Sequence, residues 1–344
     1  MLFRWLNAKA PFDQSALLGS DNFCRGKFQN FHQHQRKGNR ALLHYIKRLL
    51  SDNNKLRVPS NPIQTELLTT DILNDLDNTN IHLTRLGHSS ILLKIAGEFW
   101  LIDPVFSERA SPFSFIGPKR FHPPPITIDQ LPVLKGVIIS HNHYDHLDKQ
   151  SIKQLIEKTS HFYVPLGVDG DLVNWGVNTN SISTFDWWQS AKIGDTCLRF
   201  TPAHHYSGRG PDDNCSTLWG SWVIEHHKQS IFFSGDSGYF NGFKEIGERY
   251  GPFDICLMET GAYDRQWPSV HMQPEQSWQA FLDTNSQVML PIHNSTFNLA
   301  FHAWDHPLVS ITKLAKSHSK KLLIPKFGQI VTVGKNIKQS LWWQ

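Results

Sequence analysis

The chain has 344 residues, 40% of them hydrophobic and 19% charged, with a formal net charge of +4, which is enough apolar material for one large buried core or two small ones. No uninterrupted apolar run reaches membrane-span length, and the opening MLFRWLNAKAPF is too short in apolar residues for a secretory signal. The cysteines Cys24, Cys197, Cys215 and Cys256 are scattered without C-x-x-C spacing, so free thiols are expected, neither a disulfide framework nor a thiolate metal site is indicated, and a globular cytoplasmic protein is expected.

The charge is unevenly placed. Residues 1–60 hold eleven Lys/Arg against three Asp, a net +8, while residues 61–344 are net −4. Phe3, Trp5, Leu6, Phe23, Phe28 and Phe31 lie in the basic segment. That composition suits peripheral contact with an anionic membrane, at the inner face for a cytoplasmic protein. The plainer alternative is solvated charge on a helix, and Arg40–Leu50 has the pattern for one. No aromatic-basic RNA motif or DNA-binding helix accompanies these charges, so nucleic acid is not an expected partner. Residues 61–80 read as a polar connector, which gives an extension and connector over 1–80 ahead of a main domain over 81–344.

From Ile81 the texture changes to short β-rich runs: Ile81–Leu86, Ile91–Ile95, Phe99–Ile102, Gly136–Ile139, Phe162–Pro165, Cys197–Phe200, Trp219–Ile224, Ile231–Phe233, Ile255–Met258, Val288–Pro291 and Ile330–Val333. Helical patterns fall at Lys149–Lys158, Gly242–Tyr250, Pro274–Asp283 and Pro307–Lys316. Many strands with a few helices predict an α/β chain of two mixed sheets with helices outside them. Pro104–Pro125, rich in Phe and Pro, reads as a long loop.

The strongest chemical signal is Ser140-His-Asn-His-Tyr-Asp-His-Leu-Asp148, directly after the apolar run Gly136–Ile139. Residues two apart on an extended chain point the same way, so His141 and His143 can grip one cation. After a turn, Asp145 and His146 can project toward a second. Imidazole and carboxylate without thiolate suit zinc, with manganese or iron as substitutes. Nineteen histidines make chance clusters plausible, but a strand immediately before the run supplies the context that a binding motif requires.

Further donors stand at later strand ends. Phe200-Thr-Pro-Ala-His-His-Tyr206 offers His205 or His204 to the first cation. Phe232-Phe-Ser-Gly-Asp-Ser-Gly238 places Asp236 between small residues, free to bridge both. Met289-Leu-Pro-Ile-His293 offers His293 to the second. Each of these is weak alone, since a lone histidine after a strand is more often structural. His302 and His306, although spaced i,i+4, lack an intervening glutamate and stand outside the set.

In that order the set resembles the metallo-β-lactamase superfamily, which implies a four-layer αββα sandwich over residues 81–333 with two metals at one edge of the sheets. Flanking residues Leu86-Gly-His-Ser-Ser90, Ile102-Asp-Pro104, Leu218-Trp-Gly-Ser-Trp222, Gly251-Pro-Phe-Asp254 and Gly261-Ala-Tyr263 look like the N-acylphosphatidylethanolamine-hydrolysing phospholipase D family. The resemblance selects His205 over His204 and adds His271, in Val270-His-Met-Gln-Pro-Glu275. Asn294-Ser295 departs from the Trp-Gly that animal members tend to carry.

The resemblance implies a zinc-dependent phosphodiester hydrolase with two metals and a phospholipid substrate, cleaved to N-acylethanolamine and phosphatidic acid. His271 is then the candidate proton donor, with Asp145 orienting the nucleophile as well as holding the second cation. Asp103 is read as accepting the free N–H of a ligand histidine, or as a simple turn residue. His88 either lines the site or is a satisfied buried histidine. Phe106, Phe113, Phe115, Trp187, Trp188 and Trp267 are candidates for an apolar groove, with core packing as the alternative. The rivals are a lactonase, a ribonuclease or a soluble-nucleotide phosphodiesterase of the same fold, and a metal-binding module without catalysis.

Overall fold

All eleven apolar runs read from the sequence fall on strands. The computed structural model describes residues 14–31, 55–318 and 320–344. The helix expected over Arg40–Leu50, together with Phe3, Trp5 and Leu6, lies outside those residues. A short helix α1 (Gln14–Leu18) leads into a hairpin of β1 (Phe23–Cys24) and β2 (Lys27–Phe28). Helix α2 (Thr70–Asn74) precedes the first large sheet and is capped by the Thr69 side chain.

That sheet is built from β3 (His82–Arg85), β4 (Ile91–Ile95), β5 (Glu98–Ile102), β6 (Leu134–Ile138), β7 (Phe162–Pro165) and β8 (Ile182–Phe185). The second takes β9 (Ser190–Ile193), β10 (Thr196–Thr201), β11 (Ser221–His226), β12 (Gln229–Phe233), β13 (Ile255–Glu259), β14 (Val288–Ile292) and β15 (Lys321–Leu322). The chain then returns to the first sheet as β16 (Ile330–Thr332), which pairs with β3. Each sheet is antiparallel in one half and parallel in the other: β5 to β8 run parallel in the first, β12 to β15 in the second.

Four layers follow from which side chains alternate. Leu93, Trp100, Ile102 and Ile138 of the first sheet meet Phe200, Trp222, Phe233, Leu257 and Ile292 of the second in one core. Their strand neighbours Leu92, Leu101 and Val137 face outward onto Ile152 and Leu155 of α3 (Lys149–Leu155) and Leu172 of α4 (Asp169–Asn174). On the other side Val223, Phe232, Cys256 and Met258 pack against α5 (Gly242–Tyr250), α6 (Pro274–Asp283) and α7 (His306–Lys316). Strands with both faces covered read as continuous apolar runs, which is why they stood out in the sequence. Each fully buried Leu, Ile or Phe contributes about 1.5–3 kcal/mol.

The elements that the sequence did not announce are short. Strands β8 and β9 each lie at a sheet edge, where only one neighbour and partial burial ask little of the side chains. Helix α3 ends at Leu155 and tightens into a 3₁₀ turn over Ile156–Lys158. The leading segment is not wholly apart from the sandwich, because Leu17 and Phe28 enter the inter-sheet core. Phe28 is 1% exposed, so this aromatic is a core residue and is withdrawn from any membrane-facing set.

Candidate metal centre

Parallel strands end together, and residues just beyond their carboxyl ends gather at one edge of the sandwich. Asp103 follows β5, His141 follows β6, Asp236 follows β12, His293 follows β14, and Glu259 closes β13. His205 arrives from beyond β10. The two sheets are pinned together at this edge by Trp222 Nε1, which donates to Ile139 O at 2.8 Å, and by Gly220 N, which donates to Ser140 O at 3.1 Å. Gly235, at φ +56, lets the chain turn into Asp236 where a Cβ would stand 2.6 Å from Gly220 O.

Two groups of donors form around the histidine motif, and a third, Asp236, Glu259, His271 and His293, overlaps them. In the first, ligand atoms of His141, His143, His205 and Asp236 all lie within 4.8 Å of one another. His143 Nδ1 is 2.9 Å from His141 Nε2 and 3.3 Å from His205 Nε2. Asp236 Oδ2 is 3.8 and 3.7 Å from those same Nε2 atoms. The second group comprises His88, Asp145, His146 and His293. Asp145 Oδ2 stands 3.2 Å from His88 Nε2, 3.4 Å from His293 Nε2 and 3.7 Å from His146 Nε2. Asp236 joins the groups, with Oδ1 3.1 Å from His146 Nε2 and Oδ2 3.0 Å from His293 Nε2.

All seven residues read as donors from the sequence are therefore brought together, and His88 stands among them rather than behind them. His204 is not in either group; its Nδ1 meets Ser269 O at 2.8 Å. His302 stacks on Tyr263, and His306 meets the Tyr263 hydroxyl.

The imidazoles are aimed by their second nitrogens. Asp103 Oδ2 is 2.7 Å from His146 Nδ1 and accepts from Ser140 Oγ at 2.6 Å, while Oδ1 accepts from Ser140 N at 2.7 Å. Ser140 Oγ is also 2.9 Å from His141 Nδ1, and Val270 O is 2.9 Å from His205 Nδ1. The Nε2 atoms of all three are thereby left for the centre. Asp103 and His293 hold positive φ of 41° and 62°, a conformation unfavourable for such residues and typical of imposed geometry at a site.

Electrostatics fit a cation. His146 Nε2, His293 Nε2 and Asp236 Oδ1 are buried in close contacts of 3.0–3.1 Å that are not well-directed hydrogen bonds, and His293 Nδ1 has no partner among the described residues, a costly state unless something else satisfies them. Burial, reinforced by neighbouring imidazoles, holds His141 and His205 well below the ordinary imidazole range and His143 at about 4, so all three are neutral donors. Burial opposes charge on His146 and His293 too, but Asp236 and Asp145 outweigh it and raise both, His293 to about 10. Burial pushes Asp145 and Asp236 upward, and the surrounding imidazoles reverse this to well below the carboxylate range. The carboxylates attract positive charge at this centre, as a divalent ion would supply.

Three contributors were missed. Glu259, 0% exposed, takes His271 Nδ1 on Oε1 and accepts from Ser237 N on Oε2 at 2.7 Å. Its signal was available, since it ends an apolar strand just as Asp236 and His293 follow theirs. Asn30 donates to His205 O at 2.7 Å and accepts from His205 N at 3.2 Å; nothing local announces a partner so far along the chain. The buried Arg85 donates to Asn294 Oδ1 at 3.2 Å and stacks on Phe327, which gives the departure at Asn294-Ser295 a structural role beside His293.

The expected apolar groove is not assembled. Trp187 is in the inter-sheet core, Phe106 packs with the outer core of the first sheet and Trp188 beside that of the second. Trp267 donates to Ala262 O at 2.7 Å, and Phe113 and Phe115 are exposed. Instead, a small recess of about 20 Å³ beside His88 and His293 is bounded by Arg57, Asn294, Phe297, Leu299 and His302 among others.

Residues 100–294 match the family model described as a β-lactamase superfamily domain. An uncharacterized protein of Mycobacterium tuberculosis is 39% identical over 272 residues, covering 78% of this chain and 73% of that one. An N-acyl-phosphatidylethanolamine-hydrolyzing phospholipase D 1 of Caenorhabditis elegans is 34% identical over 234 residues, 64% of this chain and 65% of that one. A solved metallo hydrolase from the archaeon Ignicoccus hospitalis matches with a TM-score of 0.57 and 22% identity, covering 75% of this chain and 100% of that one, a likeness of fold alone.

Proposed function

Because the chain belongs to the β-lactamase superfamily and shares its fold with a solved metallo hydrolase, we propose that it is a two-metal phosphodiester hydrolase of the phospholipase D type. Its substrate is an N-acylphosphatidylethanolamine, and its products are an N-acylethanolamine and phosphatidic acid. The observation that carries this reading is the pair of donor groups joined through Asp236, in a chain 34% identical to a relative named for that hydrolysis.

His141, His143 and His205 with Asp236 would hold one ion, and Asp145, His146 and His293 with Asp236 the other. The all-nitrogen-and-oxygen donor set favours zinc, with manganese or iron as alternatives. When bound, such a pair supplies Lewis acidity and makes water acidic enough to attack phosphorus near neutral pH. The chain's own part is positional. Asp103 and Ser140 fix the rings of His146 and His141, while His88 steadies the Asp145 carboxylate that orients the nucleophile.

The leaving alkoxide needs a proton. Glu259 engages His271 Nδ1 and leaves Nε2 as the free ring nitrogen, so His271 is oriented to deliver a proton to that oxygen. Its ring centre lies 5.1 Å from that of His205 and 5.2 Å from that of His293, close to both donor groups. Peripheral attachment of a cytoplasmic protein to the inner membrane face, through the basic residues 1–60, would bring it to such a substrate.

The rivals are a lactonase and a soluble-nucleotide phosphodiesterase, because the fold and its donor set do not by themselves fix the substrate. The full chain, loaded with zinc, is expected to release phosphatidic acid from N-acylphosphatidylethanolamine, and His141→Ala to lose that release. No phosphatidic acid, together with fast turnover of a lactone or a nucleotide diester, would transfer the assignment to the rivals.

A further inference from the structure

The Pro104–Pro125 loop builds a rigid hairpin rather than lining a groove. Ala110 N donates to Pro118 O at 3.1 Å and Arg120 N to Glu108 O at 2.9 Å, with Arg109 and Lys119 paired antiparallel between them. Arg109 Nη1 donates to Gly117 O at 2.6 Å and Phe113 N to Ser111 Oγ at 3.2 Å. Gly117, at φ +105, closes the tip, since a Cβ there would stand 2.6 Å from Ser111 Cβ. This frame holds Phe113, Phe115 and Ile116 in water at 41%, 78% and 57% exposure, with the Phe113 and Phe115 rings 5.6 Å apart.

Soluble proteins seldom hold adjacent large apolar side chains outward on a fixed frame without something to bury them. We propose that this tip, Phe113–Ile116, inserts into the surface of an anionic lipid bilayer beside the metal centre. From Arg109 to Ile128 the chain carries no Asp or Glu; at the hairpin base Lys119 is exposed and pairs with Glu108 at 2.8 Å, while Arg109 turns onto Gly117 O and Arg120 inward onto Val105 O. No carboxylate at the tip opposes a phosphate surface, and the exposed Lys119 can exchange Glu108 for a lipid phosphate as the apolar tip enters the acyl boundary. A second protein copy is a poorer fit, because a tip of three side chains falls well short of the roughly 800 Å² per partner that a stable interface needs, whereas a bilayer requires no matching surface. The hairpin is also tied to the site: Phe121 N donates to Thr296 O at 2.8 Å and Arg120 Nη2 to Val105 O at 3.1 Å, just beyond His293 and Asp103.

Binding of the full chain to phosphatidylcholine–phosphatidylglycerol vesicles, measured by co-sedimentation, tests this without any turnover, so its failure is separable from failure of the proposed activity. Phe113→Ser/Phe115→Ser is expected to weaken binding about tenfold or more, with hydrolysis of soluble bis(nitrophenyl) phosphate unchanged. A Phe115→Trp variant of the folded protein is expected to shift its emission to the blue on adding vesicles and to be quenched by brominated lipid. The proposal is overturned if the double variant binds vesicles like the parent, if the tryptophan at the tip stays in water, or if the substitutions only dissociate a dimer.

Discussion

Asp103 and His146, 43 positions apart, meet through Oδ2 and Nδ1 at 2.7 Å with neither side chain exposed. The same carboxylate takes both the backbone and hydroxyl hydrogens of Ser140, so one residue at the end of β5 sets the start of the histidine motif and the ring of its last imidazole. Asp103→Asn keeps the size but loses the charge that orients His146. Metal affinity is expected to fall about 10–100-fold, read by elemental analysis after dialysis against a graded chelator. Full metal content in the variant would show that Asp103 is only a turn residue.

The Glu259–His271 pair predicts a dependence on the leaving group. His271→Ala is expected to slow cleavage of an alkyl phosphodiester by roughly 10²–10⁴-fold and to affect a nitrophenyl ester far less, because nitrophenolate leaves without a proton. Glu259→Gln, which can still accept from His271 Nδ1, is expected to fall between the parent and His271→Ala. Equal losses on both substrates would count against His271 as the donor.

Asn30 reaches the site from the leading segment through both hydrogen bonds to the His205 backbone, and it also accepts from Trp219 Nε1 at 3.2 Å. Removing these by Asn30→Ala leaves partly buried groups unpaired and is expected to cost about 1–3 kcal/mol in urea unfolding. Metal retention should decline with it. An unchanged unfolding midpoint would mean that water replaces the amide without loss.

Acid sensitivity has a source away from the donors. Burial, assisted by Arg120, lowers His122 to about 3, and its ring stacks on Phe327 with Nε2 3.1 Å from Thr296 Oγ1. His122 is neutral in the fold, whereas the unfolded chain takes up a proton below about 6.5. Stability is therefore complete above that pH and is lost as pH falls from about 6.5 toward 3, by up to about 1.4 kcal/mol per pH unit. His122→Gln is expected to flatten this slope in urea unfolding at several pH values. A slope equal to that of the parent would place the acid sensitivity elsewhere.

The legible part of the site was the part written locally. His141, His143, Asp145 and His146 stand within one turn of chain, and Asp236 and His293 follow apolar runs whose ends could be counted. His205 and its neighbour His204 could not be separated by spacing, because both follow the same strand; in the fold one joins the donor group and the other turns to Ser269. Edge strands β8 and β9 were silent because an edge needs few apolar residues. Phe113 and Phe115 looked like groove or core, and only the hairpin pairing turned them outward.

Periodicity and turn chemistry along the chain determined the strands, the order of the donors and the family resemblance, since these depend on residues a few positions apart. Tertiary structure decided which side chains face each other: Glu259 with His271, Asn30 with His205, Asp103 with His146. Such pairs depend on sheet register and on how two sheets close against each other. Those are set by packing summed over the whole core, and no local stretch of sequence records them.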